Sequence, residues 1–294
     1  DLSIYVERLQ AQITGRELLK VRLRSIFLLR SVDPPLVMVE GTRVTGVRRM
    51  GKRIVIALQG ELFLLFHLMV AGRLRWHRQG ATIPKSNGLA AFDFENGTLL
   101  VTEASKKKRA SLHVVKGEDA LASFEYGGVE VFDVGPEEFR DALSKENHTL
   151  KRALTDPRII SGIGNSYSDE ILFVAKLSPF KQTRILSDDE FTRLYRATVE
   201  TLTYWIEKLR MDVGDSFPEK VGAFREGMAV HGRYREPCPV CGAPIQRIVY
   251  AENECNYCAR CQTGGRLLAD RARSRLLKAN WPKTLDELEG HRPS

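Results

Sequence analysis

From Arg53 to Leu58 the chain reads Arg-Ile-Val-Ile-Ala-Leu, pauses at Gln59-Gly60, and turns apolar again from Glu61 to Leu68. Two short apolar runs split by a glycine-containing pair predict a hairpin. Ala90 to Phe94 and Thr98 to Thr102 repeat the pattern, with Asn96-Gly97 between them as a favoured two-residue turn. A helix over Leu2 to Gln12 opens the chain, and the rest of the first 135 residues reads mainly as strands. The texture changes near 136. Pro136 in a first helical turn needs no partner for a missing N–H, and Glu137 and Glu138 suit the positive end of the helix dipole. Further helices are predicted over 144–154, 166–176, 187–209 and 217–230, the third of these opened by a capping box from Ser187 to Glu190. No internal repeat interrupts this order.

Composition narrows the class. Of 294 residues, 43% are hydrophobic and 28% charged, enough to bury a core and too apolar for a disordered tail. The longest apolar run, Leu62 to Val70, is broken by His67 and is far too short to span a membrane. No basic, apolar, small-residue leader marks the chain for secretion. Lysine and arginine exceed aspartate and glutamate by 45 to 37, a net charge of +8 that suits a polyanionic partner. All five cysteines fall between 238 and 261. A cluster that tight points to a metal site in a reducing cytoplasm, not to disulfides spread over the fold. A membrane machine, a disulfide scaffold and an acidic linker are excluded.

Cys238-Pro-Val-Cys241, sixteen residues, then Cys258-Ala-Arg-Cys261 supply four thiolates from two turns, the donor set of tetrahedral zinc. Four protein ligands fill the shell, so the zinc is expected to be structural, with Cys255 a bystander. The flanking Arg233, Tyr234, Arg235 and Arg247, and Arg260 within, suggest that this hairpin faces phosphate. The second signal is Gly162-Ile163-Gly164-Asn165, a tight turn into a helix whose free N–H groups can hold a phosphate. By itself such a pair of glycines also fits a plain helix–helix turn.

The whole string Gly162-Ile163-Gly164-Asn165 with Tyr167 and Asp169-Glu170-Ile171-Leu172-Phe173 resembles the helix–two-turn–helix of the formamidopyrimidine-DNA glycosylase and endonuclease VIII family. The four-cysteine ribbon, reached through His231-Gly232-Arg233, resembles that family's zinc finger. Val47-Arg48-Arg49-Met50-Gly51-Lys52 resembles its Arg-Arg-x-Gly-Lys hairpin, and His67-Leu68-Met69-Val70-Ala71-Gly72-Arg73-Leu74 its His-Leu-Gly-Met-Ser-Gly-Ser-Leu segment. The likeness runs in order from the opening helix to about residue 262.

The resemblance implies excision of oxidised bases followed by strand cleavage at the abasic site. The family's nucleophile is the amine of an N-terminal proline, which forms an iminium with the sugar C1′. Aligned on the family opening, the Pro-Glu-Leu-Pro stretch is expected just before Asp1, outside these residues. Lys52 matches the proton-donating, phosphate-contacting lysine, or is a solvated lysine beside a turn. Lys151 and Asn165 match backbone-holding residues, though Asn165 also suits a turn. His67 is a DNA contact or a packed strand histidine. Met69 and Val70 stand where the family fills the gap left by a flipped base, or belong to the core.

Two departures follow. The zinc finger's phosphate-gripping arginine, five residues before the third cysteine, is Asn253 here, between Glu252 and Glu254, which leaves Arg247 or Arg260 to supply a cation. The family's Asp-Pro-Arg-Arg-Phe-Gly segment becomes Glu103-Ala-Ser-Lys106-Lys107-Lys108-Arg109-Ala110. It keeps a cationic run for phosphate, or forms a solvated loop, but loses the intercalating aromatic.

The expectation is an α+β protein. An N-terminal β-sandwich domain (1–135) precedes a helix–two-turn–helix domain (136–230), a four-cysteine zinc-ribbon hairpin (231–262) and a basic extension (263–294). It is expected to act as a cytoplasmic monomer on damaged double-stranded DNA, nucleoid-associated in a bacterium, gripping bent duplex in a basic cleft. The flipped nucleotide then meets the catalytic groups. Alternatives are a catalytically impaired binder of damaged or bent DNA and an RNA-binding zinc-ribbon protein.

Overall fold

Strands that are apolar on both faces need cover on both sides. Residues 62–66 and 88–94 are buried at every position, so one exposed sheet cannot accommodate them. The computed structural model describes residues 1–219, 225–250, 253–269 and 282–290, grouped into two compact units. Among these, no helix is long and apolar enough to cross a membrane.

The first unit comprises Asp1–Tyr126 and Trp205–Ala223. It opens with α1 (Leu2–Ile13), followed by β1 (Glu17–Leu23), β2 (Thr42–Met50), β3 (Arg53–Leu58), β4 (Leu62–His67), β5 (Gly72–His77), β6 (Gly88–Phe94), β7 (Gly97–Glu103), β8 (Ser111–Lys116) and α2 (Glu118–Ala122). The strands pair in the order β5-β7-β6-β1-β2-β3-β4-β8. In a flat sheet β4 and β6, four places apart, would be about 19 Å from each other. Yet Phe66 and Phe92 meet edge to face with ring centres 5.3 Å apart. The sheet therefore folds over itself around one core, and irregular registers at Leu18/Lys20, Val44/Gly46 and Gly88/Ala90 help it bend. This is the expected β-sandwich architecture.

The first predicted hairpin forms from β3 and β4. In the second, the turn sits one residue earlier than predicted, at Glu95-Asn96, because Gly97 already pairs with Phe94. Glycine at 97 serves close packing instead: a Cβ there would stand 2.4 Å from Trp76 Cζ2.

The second unit comprises Gly127–Tyr204 and Phe224–Ser294. It contains β9 (Val129–Glu130) parallel to β10 (Ile160–Ser161), α3 (Pro136–Ser144), α4 (Leu150–Thr155) and α5 (Asn165–Val174). The first part of α6 (Asp188–Val213), β11 (Gln246–Tyr250), β12 (Asn253–Tyr257), α7 (Ala259–Thr263) and α8 (Leu285–Gly290) complete it. Ser187 and Glu190 form the predicted capping box: Glu190 N–H donates to Ser187 Oγ and Ser187 N–H to the Glu190 carboxylate, at 3.3 and 3.0 Å.

Two predicted helices are corrected. Over 144–154, the helix begins only at Leu150, because Thr149 bridges to Gln182 and its hydroxyl caps Arg152 N–H. Over 217–230, residues 217–219 and 225–230 are not helical, and 220–224 lie outside the described residues. The N–H groups of Ala229, Val230 and His231 donate to the Glu170 carboxylate at 2.7, 2.9 and 2.9 Å, which diverts the donors a helix needs. Of the basic extension, residues 270–281 and 291–294 lie outside the described residues. Leu267 N–H donates to Lys283 O, Leu285 N–H to Gly265 O, and Leu285 is buried in the same core as Tyr257 and Cys258.

Candidate nucleic-acid interface and metal centre

The four predicted ligands converge. The Sγ atoms of Cys238, Cys241, Cys258 and Cys261 all lie within 4.8 Å of one another, with Cys241–Cys258 at 3.5 Å and Cys238–Cys261 at 3.9 Å. Zinc–sulfur bonds of about 2.3 Å place tetrahedral sulfurs about 3.8 Å apart, so the cluster fits one zinc ion. Each knuckle is shaped by its backbone. Gly242, at φ +73, closes the first, and Cys258 caps α7 while accepting Cys261 N–H at 3.5 Å. Four sulfurs leave no open coordination position, so the ion is structural. Cys255 is buried on β12 outside this cluster.

The glycine-paired turn lies against the same hairpin. Gly162, at φ +85, makes the bend, and Asn165 begins α5. Asn165 Nδ2 donates to Glu254 O at 2.8 Å, tying the turn to β12. Lys151, only 3% exposed, points inward: its ammonium donates to Asn165 O, Ser168 Oγ and Asp169 Oδ1 at 2.7, 2.7 and 2.6 Å. Asp169 Oδ2 also accepts Asn256 N–H at 3.0 Å and lies 2.8 Å from His231 Nδ1. Asn256 Oδ1 in turn accepts Gly232 N–H at 2.8 Å. Asp169 and Glu170, neighbours on α5, thus fasten the turn, the approach segment 229–232 and the hairpin together. Both carboxylates are buried, where charge is tolerated only with this many donors.

In the first unit, Lys52 occupies the two-residue turn between β2 and β3, beside Gly51 at φ +58. His67 ends β4. Burial, then the charges of Arg53 and Lys52, push its imidazole down to about 4, so it is neutral at pH 7. Met69, at φ +56 and 42% exposed, and Val70, 72% exposed, form an apolar tip. The tip adjoins the cationic loop: Gly72 pairs with Glu103, and Ala104 N–H donates to Ala71 O. Glu103, 1% exposed, pins that loop by accepting the N–H groups of Arg109 and Ala110 at 3.0 and 3.3 Å. Lys108 donates back to Glu103 O, while Lys106 and Lys107 remain exposed.

The structure thus brings Lys151 and Asn165 to the zinc hairpin, Lys52 near His67, and the Met69–Val70 tip to the strand end from which the loop carrying Lys106, Lys107, Lys108 and Arg109 departs. Sequence reasoning misses Glu103, Glu170 and His231 as fasteners, because their partners lie 6 to 62 residues away along the chain. The one local signal is an acidic pair, Asp169-Glu170, inside an otherwise apolar helical run.

Comparisons agree with this geometry. Residues 1–110 match the formamidopyrimidine-DNA glycosylase N-terminal domain, 130–214 its H2TH domain, and 235–264 a zinc finger found in FPG and IleRS. The chain is 33% identical over 236 residues to the formamidopyrimidine-DNA glycosylase of Thermus thermophilus, covering 77% of this chain and 85% of that protein. An uncharacterized formamidopyrimidine-DNA glycosylase-like protein of Mycobacterium tuberculosis is 41% identical over 151 residues, 51% of this chain and 94% of that protein. The fold matches Lactococcus lactis formamidopyrimidine-DNA glycosylase bound to DNA containing an abasic site, with TM-score 0.77 and 23% identity. That match covers 89% of this chain and 98% of the other. The fold and its zinc hairpin define a DNA-repair glycosylase scaffold. The chain belongs to the formamidopyrimidine-DNA glycosylase family.

Proposed function

We propose that this protein is a base-excision DNA glycosylase that removes oxidised bases from duplex DNA and cuts the strand at the resulting abasic site. The observation that carries the reading is the fastening of the Asn165 turn to a four-cysteine hairpin through Asp169 and Glu170, within a chain of this family. Two backbone-reading elements held as one piece can keep a bent phosphodiester in register while a nucleotide leaves the stack.

The nucleophile in this reading is a proline amine ahead of Asp1. It attacks the sugar C1′, the bond from C1′ to the base breaks, and the base leaves with a proton. Once the amine has given up its proton, the nitrogen lone pair expels O4′, opening the sugar to a C1′ iminium. Loss of a C2′ proton then gives an enamine, whose electrons form the C2′=C3′ bond as the C3′–O bond breaks and its electron pair leaves with the phosphate oxygen. Lys52 is assigned proton delivery to the departing base and a phosphate contact. His67, held neutral, is assigned a hydrogen bond to backbone. Asn165 holds phosphate through the amide edge not spent on Glu254, and Lys151 sets the position of Asn165. Val70 fills the gap left by the flipped nucleotide, and Lys106, Lys107, Lys108 and Arg109 meet phosphate. Zinc supplies shape to the hairpin when bound and no reaction step. The protein works as a monomer on chromosomal DNA in the cytoplasm.

A second reading, a binder of damaged or bent DNA with impaired catalysis, is favoured by Asn253, which puts no cation at the end of the hairpin far from the cysteines. The RNA-binding zinc-ribbon alternative leaves the β-sandwich and the helix–two-turn–helix unexplained. Borohydride reduction separates the two DNA readings. Protein carrying its native start is mixed with a duplex holding one abasic site and reduced. A covalent protein–DNA adduct supports the enzyme, and intact binding with no adduct leaves the binder.

A further inference from the structure

Tyr234 carries two arginines. The guanidinium carbon of Arg247 lies 4.4 Å from the centre of its ring and that of Arg235 5.2 Å. Arg247 comes from β11, whereas Tyr234 and Arg235 precede the first zinc knuckle. The two stretches are locked side by side: Arg235 N–H donates to Ile245 O and Ile245 N–H to Glu236 O, both at 2.9 Å. Arg235 adopts φ +72, a conformation uncommon for a residue with a Cβ, so local packing fixes its position.

The charges at this ring are not balanced. Among the described residues Arg235 makes no ion pair, and the one carboxylate reaching Arg247 is Glu254, at 3.5 Å. Arg247 Nε is buried and meets no acceptor. Two cations gathered on one ring repel each other unless an anion joins them. A guanidinium stacked on an aromatic face keeps its in-plane donors for a second partner, and their fork matches a phosphate.

We propose that Arg247, Arg235 and Tyr234 form a phosphodiester-binding site on the zinc hairpin for the backbone of a DNA strand. The proposal rests on the glycosylase reading and names a contact within it. Arg247 pairs across the hairpin with Asn256, near the cysteines, whereas the far end pairs Tyr250 with Asn253 and offers no cation among the described residues. The grip therefore sits at the metal end of the hairpin. Glu254 holds Arg247 until a phosphate displaces it.

The test is fluorescence anisotropy of the zinc-loaded protein on a duplex with a tetrahydrofuran abasic analogue, across a series of KCl concentrations. Arg247→Gln is expected to weaken binding about 10-fold and flatten the slope of log affinity against log salt by about 1. Glu254→Gln is expected to act in the opposite direction, tightening binding about 3-fold by freeing Arg247. The double variant stays weak. The proposal is overturned if Arg247→Gln changes neither affinity nor slope. It is also overturned if the double variant regains wild-type binding, because Arg247 would then do no more than neutralise Glu254. Zinc content and thermal midpoint are measured alongside. If Arg247→Gln loses zinc, the exposed Arg235→Gln decides the matter: a flatter slope supports the site and an unchanged one overturns it. A wild-type protein without preference for the abasic duplex contradicts the glycosylase reading, while slopes on intact duplex still decide this site.

Discussion

Asp169 meets His231 across sixty-two residues of chain, Oδ2 to Nδ1 at 2.8 Å, with both side chains buried. The same carboxylate takes the Lys151 ammonium at 2.6 Å through its other oxygen. A helix N-terminal turn and the approach to a zinc hairpin are therefore joined by one side chain. Glu170, next along, does the same with three backbone donors.

Glu170 is the more consequential of the two for stability. Glu170→Ala strips the acceptor from three N–H groups and is expected to destabilise the second unit by about 3–5 kcal/mol, since each buried donor left unmade costs about 1–3. Glu170→Gln keeps one oxygen and should lose about half as much. Urea unfolding followed by far-UV circular dichroism, which reports the helices of the second unit, measures both. Amide exchange at 229–231 should accelerate in each variant.

Zinc removal should act locally. Cys238, Cys258, Tyr257, Ile245 and Leu285 share one buried core, and a metal-held module this small has little else to stabilise it. Chelation at pH 7 is expected to abolish exchange protection over 235–264 and to leave the sandwich strands protected. Cys258→Ser should bind less than one zinc per chain. Cys255→Ala should retain one, because Cys255 lies outside the ligand set.

His67 predicts a pH dependence in the first unit. Its folded pKa, about 4, lies below its unfolded value of 6.5. The fold therefore favours the neutral ring, and this contribution is present above pH 6.5 and lost as the pH falls from 6.5 towards 4. The full loss is about 2–3 kcal/mol after allowing for partial exposure. Thermal midpoints between pH 7 and pH 4 should fall more steeply for wild type than for His67→Gln.

The cationic loop should show itself through salt. Replacing exposed Lys106 and Lys107 by glutamine is expected to flatten the salt dependence of duplex binding by up to about 2 in slope, about 0.9 per phosphate released. Glu103→Gln leaves those charges but weakens the pin beneath them, so affinity should fall with the slope nearly unchanged. Filter-binding titrations at several KCl concentrations distinguish the two.

The zinc site is legible in the sequence because its four ligands come in two local pairs whose spacing is itself the signal. The capping box of α6 and the β3–β4 hairpin are legible for the same reason: cause and effect lie within a few residues. Where the determinant is distant, pattern fails. The stretch 217–230 reads as helical from composition, but a carboxylate some sixty residues upstream claims the N–H groups of 229–231. Asn96-Gly97 suggests a turn, yet Trp76, twenty-one residues earlier, fixes why glycine is needed at 97. Lys151 matches a phosphate-holding residue by position, and only the fold shows its ammonium spent on Asn165, Ser168 and Asp169. The return of Trp205–Ala223 to the first unit likewise has no local sequence mark.

The most direct measurement compares affinities of the zinc-loaded protein for one duplex in two forms, intact and carrying a single tetrahydrofuran abasic analogue, at about 0.15 M ionic strength. Binding is expected to be at least about 10-fold tighter to the abasic form, because an unpaired site is already part-way to the bent, flipped geometry. Equal affinity for the two duplexes would contradict it.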